Sequence, residues 1–156
     1  MKKIFFSLLL PLMFSSLALA NAEPVCMSKG QALPVMNDVV LKWKAETRNQ
    51  YKNRALIDGA LSNLYPDKSG HVHISVRIGA NNQDTIELVY NEKFGRLPDM
   101  IVGDKIKACG DYITSNARTK RYPASPDGAI IHWVHKSNND RHDHGFVIVN
   151  DRVYGM

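Results

Sequence analysis

The chain has 156 residues, of which 20 are basic and 15 acidic, giving a formal net charge of +5 at pH 7. This length suits one compact domain rather than several, and the sequence contains neither internal repeats nor low-complexity segments. The mild basicity permits an anionic partner but does not require one, so composition alone excludes neither binding nor catalysis.

The first 22 residues predict a secretory signal peptide. Lys2 and Lys3 precede an apolar run at residues 4–14, which is followed by an A-x-A cleavage motif at residues 18–20. The run is too short for a membrane anchor, so we expect no transmembrane segment after cleavage. The mature protein is therefore expected in the periplasm or outside the cell, with 18 basic residues against 15 acidic ones.

The two cysteines of the chain, Cys26 and Cys109, predict a disulfide bond. In an oxidising compartment an even pair favours a disulfide over two buried free thiols, which are the alternative. The bond would close most of the mature chain into one loop and contribute roughly 4 kcal/mol of stability.

The first predicted elements in chain order are a helix and a bent strand. Residues 33–50 predict an amphipathic helix, with Pro34 in its first turn and apolar residues at helical spacing. Residues 54–65 predict a strand that bends at Gly59. The Pro- and Gly-containing stretch 66–70 predicts a turn.

The next two predicted strands follow this turn. Residues 71–78 alternate between apolar and polar side chains, as in a strand with one buried face. The polar side of this strand carries His71, His73, Ser75 and Arg77. Residues 85–90 predict a second alternating strand, and residues 91–100 predict a loop or a short helix.

The second half of the chain predicts further strands separated by a long loop. Extended structure resumes at residues 102–113, and a polar loop follows at residues 114–128. The loop carries Arg118, Lys120, Arg121 and Tyr122. Residues 129–135 predict another strand, and residues 146–155 predict a hairpin that turns at Asn150-Asp151.

These elements predict a mainly β fold with an N-terminal α-helix. Five to six antiparallel strands, with a break after the third and a bent first strand, favour a small Greek-key barrel of the oligonucleotide/oligosaccharide-binding (OB) type. An open antiparallel sheet packed on the helix is the alternative. We divide the chain into a signal peptide at 1–22, an N-terminal extension and helix at 23–53, and an OB-like barrel at 54–156.

Several short motifs add a resemblance to this pattern. They are Gly59, Pro66-Asp67, Gly70, His73, Gly103-Asp104, "GDY" at 110–112, "IHWVH" at 131–135, His142, Gly145 and Tyr154. Over residues 54–155 the chain resembles a bacterial family of small exported proteins designated domain of unknown function 3465. The resemblance implies a small OB-like barrel and brings no activity with it.

Three features depart from the pattern of that family. Tyr90-Asn91 stands where the family usually has a His-Asn pair at the end of the third strand. Val134 stands where the family motif "HWTH" has threonine. The loop after "GDY" is longer and more basic than in the family.

The histidines raise three chemical interpretations, of which the first is a metal site. Imidazole is the commonest protein ligand for zinc and copper. His132 and His135 are three residues apart, so a regular strand would send them to opposite faces. The expected ligand set is His73, one of these two, and His142; we take His73, His135 and His142, with a divalent metal such as zinc as the possible cofactor.

The second interpretation is acid–base catalysis, in which a histidine acts near neutral pH. The catalytic candidates are His73, His132, His135 and His142. Asp140 or Asp143 would orient one of these rings. Together with a metal ion, such a site would make the protein a metal-assisted, nuclease-like phosphodiesterase.

The third interpretation, which we favour from the sequence, is a binding module. OB-type barrels bind ligands across the second and third strands and the loops after the first and fourth. The candidate ligand-binding residues are His71, His73, Arg77, Arg118, Lys120, Arg121, Tyr122 and Trp133. Cations beside aromatic rings suit an anionic ligand, such as a nucleic acid or another anionic polymer. A solvated loop explains the same basic residues equally well.

A structural use of the histidine-rich segment, residues 130–146, is a further alternative. Trp133 shares a strand face with Ile131, which favours the core, and a histidine near a strand end often satisfies backbone carbonyls. His144 is expected on the surface without a specific role. The identity of the ligand, catalytic activity and the oligomeric state stay open at this point.

Overall fold

A computed structural model describes residues 23–139 and 142–156 of the chain. The expected signal peptide at residues 1–22 lies outside the described residues, as does Asp140. Within the two described ranges, no helix is long and apolar enough to cross a membrane.

The described chain begins with a short hairpin and one helix. Strands β1 (Met27–Ser28) and β2 (Gln31–Ala32) pair with each other, and helix α1 spans Asn37–Glu46. The helix begins later than the sequence pattern suggests. The reason is that the preceding backbone already belongs to the barrel wall, where the Met36 N–H donates to the carbonyl of Leu56 at 2.8 Å.

Five strands close the barrel that the sequence predicts. They are β3 (Lys52–Leu64), β4 (His71–Arg77), β5 (Thr85–Asn91), β6 (Lys105–Thr114) and β7 (Ala129–His132), with a 3₁₀ turn at Glu92–Phe94. Their order is β3-β4-β5-β7-β6, and β6 pairs with β3. This closure excludes the open sheet and confirms a small OB-like barrel with one short helix.

One pairing differs from the expected antiparallel arrangement. Strand β7 returns antiparallel to β6, and this direction makes it run parallel to β5 on its other side. The barrel is therefore mixed. A sequence pattern shows only where strands are and cannot show this direction, because parallel and antiparallel neighbours alternate their side chains alike.

The long strand β3 pairs with two neighbours. Its stretch from Lys52 to Ala60 pairs with β6, and its end pairs with β4. Gly59 lies at the change-over, where a Cβ atom would come within 2.2 Å of the Arg77 carbonyl oxygen. The bend expected at this glycine thus accompanies a close backbone approach that only glycine permits.

Alternation in β4 and β5 separates the core from the outside of the barrel. The buried, inward side of these strands consists of Val72, Ile74, Val76, Ile86, Leu88 and Tyr90. Helix α1 covers part of the core, with Val40 buried and Trp43 in ring contact with Tyr112. The polar residues between the core positions are left on the outside.

The chain ends in the predicted hairpin. Strand β8 (Phe146–Val149) pairs with β6, and β9 (Arg152–Tyr154) pairs with β8. The turn residues Asn150 and Asp151 have φ angles of 45° and 67°. These left-handed conformations suit a two-residue hairpin turn, and Asn and Asp adopt them more readily than most residues.

The predicted disulfide is confirmed. Cys26 and Cys109 are bonded across a sequence separation of 83 residues. Both residues are buried beside Phe146. The bond therefore fixes the N-terminal segment onto β6.

Removing this bond is expected to destabilise the fold. In Cys26→Ala/Cys109→Ala the unfolded chain regains the freedom of an 83-residue loop, which lowers the free energy of unfolding by about 4 kcal/mol. Urea unfolding of the oxidised wild type, the reduced wild type and the double variant measures the change. The last two should agree, and an unfolding free energy that reduction leaves unchanged would contradict the prediction.

Candidate functional site on the outer face of the barrel

The outward side of β4, β5 and β7 is polar, and we call it the outer face. It contains His71, His73, Ser75, Thr85, Glu87 and His132, bordered by Tyr65, Asp127 and Trp133. Several of these polar side chains are buried or half-buried, so they need partners within the protein. Among the described residues, every buried side-chain nitrogen or oxygen has one.

A histidine–carboxylate pair lies near the centre of the outer face. The Nδ1 atom of His73 lies 2.6 Å from Oε1 of Glu87, and the two side chains are 21% and 8% exposed. A neutral imidazole in this position donates its Nδ1–H to the carboxylate and keeps its lone pair on Nε2. Such a pair orients a ring for proton transfer or for metal binding.

Two further imidazoles are neighbours of this pair. The His71 Nδ1 atom lies 3.1 Å from the Ser69 carbonyl oxygen, which leaves Nε2 as the free nitrogen. The ring centroid of His71 is 6.5 Å from that of His73 and 6.3 Å from that of His132. Burial lowers the pKa of His132 to about 4, helped by the neighbouring His71, so this ring is neutral at pH 7.

A small side chain, that of Val89 on β5, lies between the histidines of β4 and the histidine of β7. His73 of β4 pairs with Val89 of β5. Val89 follows the Leu88–Ile131 pair of the parallel β5–β7 ladder, which brings it level with His132. The imidazoles of β4 and β7 therefore lie on either side of a valine.

The backbone changes direction directly after β7. Trp133 has a φ angle of 55°, so strand alternation stops there. Its side chain is 39% exposed, unlike the core position that alternation favoured, and Val134 is buried in its place. Close packing holds this turn, since a Cβ atom on Gly145 would lie 2.1 Å from the Trp133 carbonyl oxygen.

His135 forms a structural corner. Its ring stacks on Phe94 at a centroid distance of 3.5 Å, and the residue is only 7% exposed. The Nδ1 atom lies 2.9 Å from the Lys136 carbonyl oxygen. Its contacts are therefore with an aromatic ring and the backbone, as the structural alternative predicts for a histidine near a strand end.

His142 and His144 lie on the loop that follows. The ring of His142 stacks on Trp133 with centroids 4.9 Å apart, and its Nδ1 atom lies 3.6 Å from Oδ2 of Asp111. His144 is exposed, as expected, but it has a specific contact: its Nδ1 atom accepts a hydrogen bond from the Ser137 N–H at 3.1 Å. Both rings support the position of this loop.

A buried arginine joins the loop to the rest of the fold. Arg54 is 8% exposed. Its guanidinium donates to the Met27 carbonyl at 2.7 Å, to Oδ1 of Asp111 at 2.8 Å and to the His144 carbonyl at 2.6 Å. The same carboxylate therefore pairs with Arg54 and faces His142.

A second carboxylate organises the other end of the outer face. Asp127 accepts hydrogen bonds from Ser75 at 3.0 Å, from Thr85 at 2.6 Å and from the Tyr65 hydroxyl at 3.2 Å. Burial raises the pKa of Tyr65, and the negative charge of Asp127 adds to the effect. The loop that contains Asp127 is thereby attached to β4 and β5.

That loop, residues 115–128, carries the predicted cations, and we call it the basic loop. Its residues Arg118, Lys120, Arg121 and Tyr122 are exposed, with Tyr122 at 69%. Arg77, at the end of β4, is also exposed and donates to Asn82. No hydrogen bond or ion pair among the described residues joins these cations to the histidines.

The contacts divide the predicted site residues into groups. His71 neighbours both His73 and His132 on the outer face, and the ring of Trp133 contacts His132, His135 and His142. His132 therefore lies between the two groups. In residues 23–139 and 142–156, no three His, Cys, Asp or Glu side chains are arranged closely enough to hold a metal ion as they stand.

The sequence pattern missed three residues that organise this region. Glu87 carries a signal, because alternation in β5 places it on the polar side. Asp127 and Arg54 carry none, since the partners of Asp127 come from β4 and β5 and those of Arg54 from three distant segments.

His132 is expected to make the protein less stable as the pH falls. An unfolded histidine titrates near 6.5 and folded His132 near 4, so between these values mainly the unfolded state gains a proton. The loss of unfolding free energy begins near the upper value, is complete near the lower one and amounts to at most about 3 kcal/mol.

Urea unfolding of metal-free protein at pH 7 and near pH 4.5 measures this dependence. His132→Asn should lose less stability over the interval than the wild type. His144→Asn, which changes an exposed ring, is the control. Equal pH dependence in all three proteins would refute the role of His132.

Gly145→Ala is expected to destabilise the histidine-rich segment. The new Cβ atom would meet two backbone oxygens, those of Trp133 at 2.1 Å and Cys109 at 2.7 Å. Overpacking of this kind costs about 1–3 kcal/mol, to be measured by thermal unfolding together with tryptophan fluorescence. Gly79→Ala, whose Cβ meets the side chain of Asp84, should cost less. The prediction fails if both variants are as stable as the wild type.

Comparisons with known proteins agree with the motifs of the second half. A search of curated proteins finds no match to the chain. The sequence model of the family described as Protein of unknown function (DUF3465) matches residues 27–155. The match includes the whole barrel, the outer face and the basic loop. The chain therefore belongs to the DUF3465 family.

Proposed function

We propose that this protein is an exported binding module that holds an extended anionic polymer across its outer face, and that single-stranded nucleic acid is the ligand that its groups fit best. The observation that carries the proposal is the attachment of the basic loop to the outer face. Asp127, the last residue but one of that loop, accepts hydrogen bonds from Ser75 of β4 and Thr85 of β5. OB-type barrels bind ligands on this combination of strands and loops.

The cations of the basic loop are available to a ligand. Arg118, Lys120 and Arg121 are exposed, and none takes part in an ion pair among the described residues. Unpaired cations favour phosphate binding, because each neutralised phosphate releases condensed counterions into solution. The loop therefore offers a contact surface for a polymer backbone.

The two carboxylates of the outer face do not oppose an anionic ligand strongly. Glu87 is paired with His73 at 2.6 Å. Asp127 is satisfied by three hydroxyl groups, and it lies close enough to Lys44 to oppose the lowering of that pKa by burial. Both carboxylates thus have hydrogen-bond partners inside the protein.

Exposed rings near the loop and the face suit the bases of a single strand. Tyr122 lies on the basic loop, and Trp133 lies where β7 ends. Stacking of a base on such a ring contributes about 1–3 kcal/mol and tolerates any sequence. Double-stranded nucleic acid presents no free base faces, which is why we propose a single strand.

Export forms part of the proposal. The N-terminal pattern predicts secretion, and the Cys26–Cys109 disulfide is the kind of bond that persists in an oxidising compartment. The binding partner would then be a polymer of the periplasm or of the cell exterior.

A metal-assisted phosphodiesterase is the second candidate function, favoured by the His73–Glu87 pair. A histidine held by a buried carboxylate is the arrangement that general acid–base catalysis uses. The same ligand would occupy the outer face in both cases, and cleavage would distinguish an enzyme from a binding module.

Fluorescence anisotropy with a labelled oligothymidylate tests the proposal. Replacing the three cations, Arg118→Gln/Lys120→Gln/Arg121→Gln, should weaken binding at least about 10-fold at low salt. It should also reduce the slope of log affinity against log salt by about 2. Tyr122→Ala and Trp133→Ala should each weaken binding by about 1–3 kcal/mol.

The matched control removes three exposed cations elsewhere, in Lys42→Gln/Arg96→Gln/Arg152→Gln. It has the same net charge as the loop variant, so equal loss in both would indicate only a general charge effect and contradict the proposal. Absence of binding at low salt would also contradict it. Preference for a sulfated polysaccharide over the oligonucleotide would replace the proposed ligand, and cleavage of the oligonucleotide would favour the enzyme.

A further inference from the structure

We propose that His71, His73 and His132 form a binding site for one divalent transition-metal ion, of which zinc is the test ion. This set differs from the one expected from the sequence, since it replaces His135 and His142 by His71 and His132. The site lies on the outer face but does not depend on the binding of a polymer.

Two of the three rings already have the hydrogen bonds of metal-ligating histidines. His73 faces Glu87 through Nδ1 at 2.6 Å, and His71 faces the Ser69 carbonyl through Nδ1 at 3.1 Å. A ligating histidine almost always donates its other ring N–H to a carboxylate or a backbone carbonyl, which fixes the tautomer and leaves Nε2 for the metal. Both partners here are of these kinds.

The third ring completes the donor set. His132 is partly buried at the end of β7, and its ring centroid lies 6.3 Å from that of His71 and 5.8 Å from that of Trp133. It therefore faces His71 across β5, on the same side of the sheet as the pair formed by His73 and Glu87.

The three rings must move closer together to share one ion. Three imidazoles on one zinc ion, with Zn–N bonds of about 2 Å, place their ring centroids about 5 Å apart. The centroid of His71 is 6.5 Å from that of His73 and 6.3 Å from that of His132. Each of these two distances must shorten by about 1.5 Å, and His73 and His132 must approach each other over Val89; rotation of these partly exposed side chains supplies such movements.

Two other histidines of the segment, His135 and His142, make different contacts. His135 is buried against Phe94, and His142 stacks on Trp133 beside Asp111. Three protein ligands leave a fourth position of a tetrahedral ion open, as in catalytic zinc sites. On the outer face that position would be accessible to water or to an oxygen of a bound ligand.

Zinc titration of untagged, metal-free protein against a chromogenic chelator tests the site without any oligonucleotide. The wild type should bind one zinc ion per chain. His71→Ala, His73→Ala and His132→Ala should each weaken binding at least about 10-fold. Glu87→Gln keeps all three ligands and should weaken binding by about 10- to 100-fold through loss of the oriented His73 ring.

His142→Ala and His144→Ala are the matched controls, because they remove exposed histidines of the same segment. Their zinc affinity should equal that of the wild type. Histidine side-chain nitrogen NMR provides a second readout on the wild type, in which zinc should shift the Nε2 signals of the three ligands and of no other histidine. Weak binding of several ions, or a loss of affinity in the control variants, would overturn the proposal.

Discussion

The arrangement of the site depends on the hydrogen bonds that the buried guanidinium of Arg54 donates. Its nitrogens donate to Met27 in the N-terminal segment, to Asp111 on β6 and to His144 in the histidine-rich loop. A buried charge that loses a partner costs several kcal/mol, so each of these segments is held where its oxygen atom is needed. The disulfide acts at the same place, since the Cys109 sulfur lies 3.5 Å from the guanidinium. A covalent bond and a charged hydrogen-bond network therefore fix the same junction.

This junction extends to the edge of the outer face through one carboxylate. Asp111 pairs with Arg54 through one oxygen and faces His142 through the other, and His142 in turn stacks on Trp133. The exposed indole is thus oriented by a chain of contacts that begins in the barrel wall. The close approach of Gly145 to the Trp133 carbonyl adds a steric limit to the same turn. A ligand on the outer face would consequently meet a preorganised ring, which reduces the entropy lost on binding.

The fold was predictable wherever the spacing of apolar and polar residues along one element determines it. The arrangement of the site was not predictable in this way. Alternation in β4 predicted the outward side of His71 and His73, and the Asn150-Asp151 pair predicted the last turn. The position of Trp133 depends on a positive φ angle that alternation cannot indicate. Tyr90 replaces a family histidine, but it points into the barrel core, where its hydroxyl donates to the Phe94 carbonyl, so the departure does not alter the outer face.

The concentration of histidine in this chain therefore does not correspond to one site. Sequence proximity joins His132, His135, His142 and His144, but the turn at Trp133 separates them into a strand position and a loop. Spatial proximity instead joins His132 to His71, which is distant along the chain and reaches it across β5. The ring of His135 stacks on Phe94 and that of His142 stacks on Trp133, whereas those of His71 and His73 are held through Nδ1 by a backbone carbonyl and a carboxylate. Such partners orient an imidazole for chemistry, and for this reason our proposals rest on the strand histidines.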